Sequence, residues 1–555
     1  MPGLRDSLAE YGEVMRRAIA GQWGVELEGA EDLPARLAEV MLEPERLRSF
    51  VEALEPEARS ALAQVAAAGG RIRGHILTRA HGEVRRLGPR ALEREQPWRH
   101  PQGGAERLWY AGLLFRRYGR LGAYHGELYY LPEDLLAALP PQPAPAIAIT
   151  LEPVSGPDQV QDEADALALD LEALLAHLRR QPAPLPRGGH LPPTLAPTLR
   201  ERWRGSPDPE RLALLLRLAL RSRLAVRRGE RLEVGSRARA WLQQPPFRRQ
   251  WLLFSTWRRD AHWNELWRVP SLRCEDAGWR NDPRVARSAV LEALHHCPEG
   301  WLRLGDLVAA LKATRPDFAR PDGDYDRWYI RSARTGQYLQ GFAHWDDVEG
   351  ALIAHLVTRS LHWLGAIALE PTGTLFRLTR LGRALLGQAA PPAAPRPAPL
   401  AIRQDLTIVV PRGASAYDRV RLERFARWEG RRGDDDLYRI EPERTWQALN
   451  EGIKARQIER FLRRASGRPL PGQVLRALGA WSTAFGQVTL RRAVLLQVAD
   501  EETLRQLRSD PELGQRLGVE VSERAVLVAE DELPQVLARL KALGWWPRLV
   551  GLAGP

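Results

Sequence analysis

The sequence predicts a mainly α protein with small β elements, an α+β chain in which units of one grammar stand in tandem before a separate α/β domain. Three observations carry this reading. Apolar residues recur three and four apart through most of the 555 residues, with only short strand-like runs between them. A helix, a short strand, two helices and a strand hairpin follow one another more than once. Two proline-rich stretches, Pro140 to Pro145 and Ala389 to Pro399, then divide the chain, because proline suits neither a helix interior nor a central strand. The expected parts are residues 1–140, 147–243 and 244–388, a Pro/Ala linker at 389–400, and 401–555. A softer Pro/Gly-rich break from Gln181 to Pro193 reads as a loop inside a part.

In the first part, Leu113 to Gly119, a polar turn and Leu128 to Leu136 read as the end of a third helix, a hairpin and an exit. The second part repeats this with Leu220 to Val234, followed by Ala238 to Leu242. The clearest copy is the third. Val285 to Leu294 predicts a helix, Trp301 to Leu304 a short strand, Asp306 to Ala313 a second helix, and Val348 to Leu364 a third that stops at Gly365. Ala366–Leu369 and Leu375–Leu378 form the hairpin around Gly373. This order is that of a winged helix, and Phe376 to Leu386 resembles the close of many such domains. The expectation is therefore three tandem winged-helix-like units. Winged helices place a helix in the major groove and basic wing residues on the backbone. Arg116, Arg117 and Arg120 flank the first wing, Arg227 and Arg228 the second, and Arg377 and Arg380 the third. The same fold also serves between proteins, so this surface alone leaves both readings open.

In the last part, Tyr438 to Leu449 passes from a strand into a helix, and a second helix follows. There Ile458, Phe461, Leu462 and Ala465 fall on one side, and Arg456, Arg460, Arg463 and Arg464 on the other. Lys454 to Arg492 holds nine Lys or Arg and one Glu, whereas Ala493 to Glu532 holds four Arg against ten acids. Such polarity suits a surface that grips phosphate on one side. Tyr438-Arg-Ile440, Trp446 to Gly452, Ile458 to Ser466, Leu470-Pro471, Gly486 to Leu490 and Asp500 to Pro511 together resemble the N-terminal domain of XPB-type DNA helicases. The resemblance covers about a quarter of the chain and carries no catalytic residue. It implies an accessory role beside a helicase acting at duplex opening in repair or transcription.

Composition narrows the rest. Net charge is +12, and only Lys312, Lys454 and Lys541 are lysines among 81 basic residues. Arginine excess suits phosphate contacts, and it equally follows from a GC-rich genome. There is no apolar run of eighteen residues and no signal-peptide pattern at the start, which predicts a cytoplasmic protein, nucleoid-associated if it binds DNA. Cys274 stands alone, and His295, His296 and Cys297 are contiguous, so neither zinc nor a disulfide is expected. Trp251, Trp257, Trp263 and Trp267 lie among arginines, a pattern that suits base stacking. Trp263 and Trp267, one helical turn apart, would share a packing face, so core packing is expected.

No Gly-x-x-x-x-Gly-Lys-Ser/Thr phosphate loop occurs. Asp162-Glu-Ala-Asp165 spells the DEAD-box motif but reads as the acidic first turn of a helix. Asp434-Asp-Asp436, after Gly430-Arg-Arg-Gly433, reads as a solvated turn. The sequence thus predicts a non-catalytic DNA-binding or helicase-associated protein without cofactors. Its partners would be duplex or forked DNA and a separate XPB-like helicase or another repair or transcription protein. The alternative is a protein-interaction scaffold with no DNA contact of its own. The candidate backbone contacts are Arg456, Arg460, Arg463, Arg464, Arg377, Arg380, Arg116 and Arg117.

Overall fold

The computed structural model describes residues 2–26, 32–121, 124–141, 150–184, 195–490 and 492–551. Most of the Pro140 to Pro145 linker, and the Gln181 to Pro193 break beyond residue 184, lie outside them. The architecture is mixed α+β, as the pattern predicts, with many helices and small antiparallel sheets. The chain forms two compact units. One comprises Met1–Pro399, Val410–Glu423 and Trp428–Leu437; the other comprises Leu400–Val409, Arg424–Arg427 and Tyr438–Pro555.

In the first unit, four helices (Leu4–Ala9, Glu13–Trp23, Leu33–Leu42 and Pro44–Ala53) lead into a set that recurs three times. Its first copy runs helix Pro56–Ala67, strand Arg71–Arg73, helix Gly74–His81, helix Gly104–Tyr110 and the hairpin Phe115–Leu121 with Tyr124–Tyr130, an additional short helix at Pro89–Glu95 intervening. The second runs Ala166–Arg180, strand Ala183–Pro184, Leu195–Arg200, Pro209–Arg221 and the hairpin Ala225–Arg228 with Arg231–Val234. The third runs Pro283–His295, strand Leu302–Arg303, Leu304–Thr314, a long helix over 346–361 and the hairpin Ile367–Leu369 with Leu375–Leu378. In all three sheets the last hairpin strand lies in the middle, between the first hairpin strand and the lone early strand. Three sets with one element order and one strand order are a repeat that low sequence identity hides, because each position needs only an apolar residue of suitable size.

Local chemistry fixes the joints. Gly365 adopts φ 72°, the left-handed stop that a side chain resists, and a Cβ there would lie 2.4 Å from the Ala164 carbonyl. At Gly104 a Cβ would lie 2.6 Å from the Glu57 carbonyl, so glycine is what lets the Pro56–Ala67 and Gly104–Tyr110 helices touch. The first copy keeps its own core, running from Leu4 to Leu135. The second and third share one core that extends from Leu151 to Val420.

The third helix of each set is packed in. No residue from Gly104 to Phe115, from Glu210 to Leu220, or from Val348 to Leu369 is exposed. The burial is partial: the Arg359 side chain is 42% exposed, and Arg221, at the end of the Pro209–Arg221 helix, is exposed.

In the second unit, strand Ala401–Ile402 pairs antiparallel with Thr407–Val410, Ala401 opposite Val409 and Ile402 opposite Ile408. Helices Pro442–Asn450, Ala455–Ser466 and Gly472–Ala484 follow. A small sheet then places Ala525–Ala529 between Ala493–Gln497 and Leu517–Ser522, over a core that includes Leu504, Leu513, Val526 and Val536.

Candidate nucleic-acid interface

The Ala455–Ser466 helix is strongly two-faced. Ile458, Phe461 and Leu462 are buried, while Arg456, Arg460, Arg463 and Arg464 are all exposed. The helix begins where the Gln457 side chain accepts the Lys454 backbone N–H at 2.9 Å, and ends at Gly467, φ 65°, whose N–H donates to the Arg463 carbonyl at 3.0 Å. Arg463 pairs with Glu459 at 2.6 Å, one turn away, and Arg464 lies 5.6 Å from the centre of the Phe461 ring. Among the described residues, Arg456 and Arg460 have no ion-pair or hydrogen-bond partner. Arg476, exposed on Gly472–Ala484, adds positive charge in the same unit, and Trp446 on Pro442–Asn450 adds an exposed aromatic ring.

The hairpin arginines divide by their neighbours. Arg227 pairs with Glu230 at 2.8 Å and Arg228 with Glu233 at 3.5 Å, so both predicted wing arginines of the second hairpin already have acidic partners. Arg377 is exposed and stands 5.0 Å over the Trp301 ring, and Arg380 is exposed at the start of the Arg380–Leu386 helix. On the first hairpin Arg117 is exposed, while Arg116 is half-buried, 3.7 Å from Glu127 and 5.3 Å over Trp109. The structure thus brings Arg456, Arg460, Arg463 and Arg464 onto one helix. Arg116, Arg117, Arg377 and Arg380 sit in separate hairpin regions of the other unit.

Many other arginines are structural. Arg211 is fully buried against Glu163 at 2.6 Å and Asp170 at 2.7 Å. Arg287 is fully buried against Glu265 at 2.8 Å and donates to the carbonyls of Trp257 and Asp260 at 2.6 and 2.7 Å. Arg320 pairs with Glu349 at 2.5 Å, and Arg249 with Glu172. Sequence cannot separate these from surface arginines, because Arg211, Arg249 and Arg287 sit in helices that also carry exposed arginines, and Arg320 sits in a loop.

Two acidic motifs resolve the same way. Asp162 to Asp165 precedes the Ala166–Arg180 helix rather than forming its first turn; Glu163 clasps Arg211, and Asp165 accepts from Arg412 Nε at 3.0 Å. Asp434 to Asp436 is a solvated turn only at its start: Asp434 is exposed in the turn, while Asp435 and Asp436 begin a strand. Asp436 is buried, pairs with Arg204 at 2.9 Å and with Arg419, and its burial, which favours the neutral form, is outweighed by those two cations, so its pKa lies below the ordinary value. Asp434 itself pairs with Arg412 at 3.1 Å.

Trp257 and Trp263 are buried, and Trp257 Nε1 donates to Glu265 Oε1 at 2.7 Å. Trp263 and Trp267 do not share a helix face: only Leu266–Arg268 forms a helical turn, and Trp267 is partly exposed, stacking on Trp279 with ring centres 5.5 Å apart. Trp279 stacks in turn on Trp328 at 5.2 Å. Burial pushes the Cys274 and Cys297 thiols up to about 12, which leaves them protonated and unreactive at neutral pH. No group of three or more His, Cys, Asp or Glu among the described residues is placed to hold a metal. No helix among them is long and apolar enough to cross a membrane.

One exposed group carries no motif. Tyr118, on the first hairpin, is 71% exposed. The alternation Arg116, Tyr118, Arg120 was its only sequence signal, and it matters only once the hairpin is known to be at the surface.

Residues 400–522, under a quarter of the chain, match a family described as the helicase conserved C-terminal domain. The matched region contains the Ala455–Ser466 helix and its four exposed arginines. No curated protein matches the chain.

Proposed function

We propose that this chain is a non-catalytic, helicase-associated DNA-binding protein of repair or transcription. It would hold the nucleic-acid backbone through arginine faces and dock a separate motor resembling the XPB-type helicases. The observation that carries the reading is the Ala455–Ser466 helix, whose four arginines are exposed opposite a buried apolar face inside a helicase-type domain. Arginine forks match phosphate oxygens, and each phosphate contact releases condensed counterions. The three repeated sets are, in this proposal, winged-helix units that contribute their hairpins. Unwinding is assigned to another chain because the sequence has no phosphate loop and only three lysines.

A motor needs a place to dock, and exposed apolar side chains gather in the second unit. Val488, Leu490, Val519, Trp546 and Val550 are each largely exposed, an unusual set for an isolated surface. The same observation favours the second reading, a scaffold that binds proteins only. Fluorescence anisotropy of the full chain with duplex and forked DNA separates the two. Binding in low salt that falls steeply as salt rises is the expected result; no binding at any salt leaves the scaffold.

A further inference from the structure

We infer that the outer face of the first hairpin is a stacking platform for an unpaired nucleotide, with Tyr118 beneath the base and Arg116 and Arg120 toward the flanking phosphates. This rests on the nucleic-acid reading above and adds to it a preference for single-stranded DNA at one site. Phe115–Leu121 and Tyr124–Tyr130 pair antiparallel, Arg116 opposite Tyr129, Tyr118 opposite Glu127 and Arg120 opposite His125. Alternation along the strands therefore puts Arg116, Tyr118, Arg120, His125, Glu127 and Tyr129 on one side, Tyr129 buried at the base and the rest running out from it. The opposite side carries Phe115, Leu128 and Tyr130, which are buried, so the base of the hairpin is anchored in the core.

The acid on this face is already satisfied. Glu127 pairs with Arg86 at 2.6 Å and lies 3.7 Å from Arg116, so two arginines face this one carboxylate. His125 stands nearly perpendicular to the Tyr118 ring, with centres 5.0 Å apart, and Tyr118 stays 71% exposed beside it. A tyrosine left this open gains nothing from burial, yet its face suits a nucleobase, and stacking of this kind tolerates any base. Successive same-face residues on a strand stand about 6.7 Å apart, which leaves room for a base on the ring with a guanidinium to either side. Duplex DNA keeps its bases stacked inside and offers the ring nothing, so the platform favours a single strand or the open arm of a fork.

The test uses the full-length chain, a fluorescein-labelled oligothymidylate and a blunt hairpin duplex of equal length, at fixed low salt. Tyr118→Ala should weaken oligothymidylate binding roughly fivefold or more and leave duplex binding within about twofold, while Tyr118→Phe, which keeps the ring, should bind both as the unaltered chain does. Arg120→Glu should weaken the single strand further. Unchanged single-strand binding by Tyr118→Ala, or an equal loss on both probes, overturns the platform while leaving the broader DNA reading intact. If the unaltered chain binds neither probe, the DNA reading fails and the platform with it.

Discussion

Asp436 shows what a single buried charge does in this chain. Arg204 and Arg419 both close on it, and Trp428 Nε1 approaches it at 3.4 Å. Removing the acid strands two guanidinium groups, and breaking such a buried pair costs about 3 kcal/mol or more. Asp436→Asn should therefore lower the urea midpoint clearly, whereas Asp435→Asn, one residue away, should not; equal effects would mean the clasp contributes little. His355 supplies a pH signature. Burial, assisted by Arg359 and Arg268, depresses its pKa to about 4, so the folded protein holds it neutral. The unfolded chain takes up the proton first, near pH 6.5, and stability from this group falls as pH drops from about 6.5 to 4, by up to roughly 3 kcal/mol. Above pH 6.5 its contribution is level. Unfolding midpoints measured across that window should decline, and His355→Gln should flatten the decline; an unaltered slope contradicts the assignment.

At the scale of elements, much of the third repeat was legible. The helix Pro283–His295, the strand Leu302–Arg303 and the hairpin closing at Leu378 follow from periodicity and from glycines that only a turn requires. The amphipathic Ala455–Ser466 helix was equally plain, because arginine and apolar residues segregate at 3.6-residue spacing. Burial of the third helices was not legible. Their second faces carry residues such as Glu106, Arg211 and Glu349, which read as solvent-facing in sequence. Glu106 accepts from Arg85 Nε at 2.7 Å and from the Gln102 N–H at 2.7 Å, Arg211 pairs with Glu163 and Asp170, and Glu349 pairs with Arg320. Partners 4 to 48 residues away decide the matter, and no local pattern reveals them. Trp263 and Trp267 misled for a similar reason: spacing of four implies a shared face only if the segment is helical, and here it is not. If the hairpins contact DNA while the third helices do not, Arg377→Glu should weaken binding severalfold with little change in stability, since Arg377 is exposed on its strand. Arg211→Glu should instead disrupt the fold, because it sets a third acid beside Glu163 and Asp170; a stable Arg211→Glu variant would contradict the packing.

For the whole molecule, the 81 basic residues overstate the free positive groups, because many arginines are paired with buried acids; those pairs cancel and leave the net charge of +12. The Ala455–Ser466 helix gathers four exposed arginines on one short element. A chain that holds DNA without driving it should show no DNA-stimulated ATP hydrolysis, and a measurable stimulated rate in the purified chain would overturn the non-catalytic reading. The central claim is that the four helix arginines grip phosphate, and its most direct test is the salt dependence of forked-DNA affinity for the unaltered chain and for Arg456→Glu, Arg460→Glu, Arg463→Glu and Arg464→Glu combined. The expected result is the same thermal unfolding, weaker binding, and a log–log salt slope shallower by about 3 to 4, one phosphate contact per arginine. Identical slopes for the two proteins would contradict it.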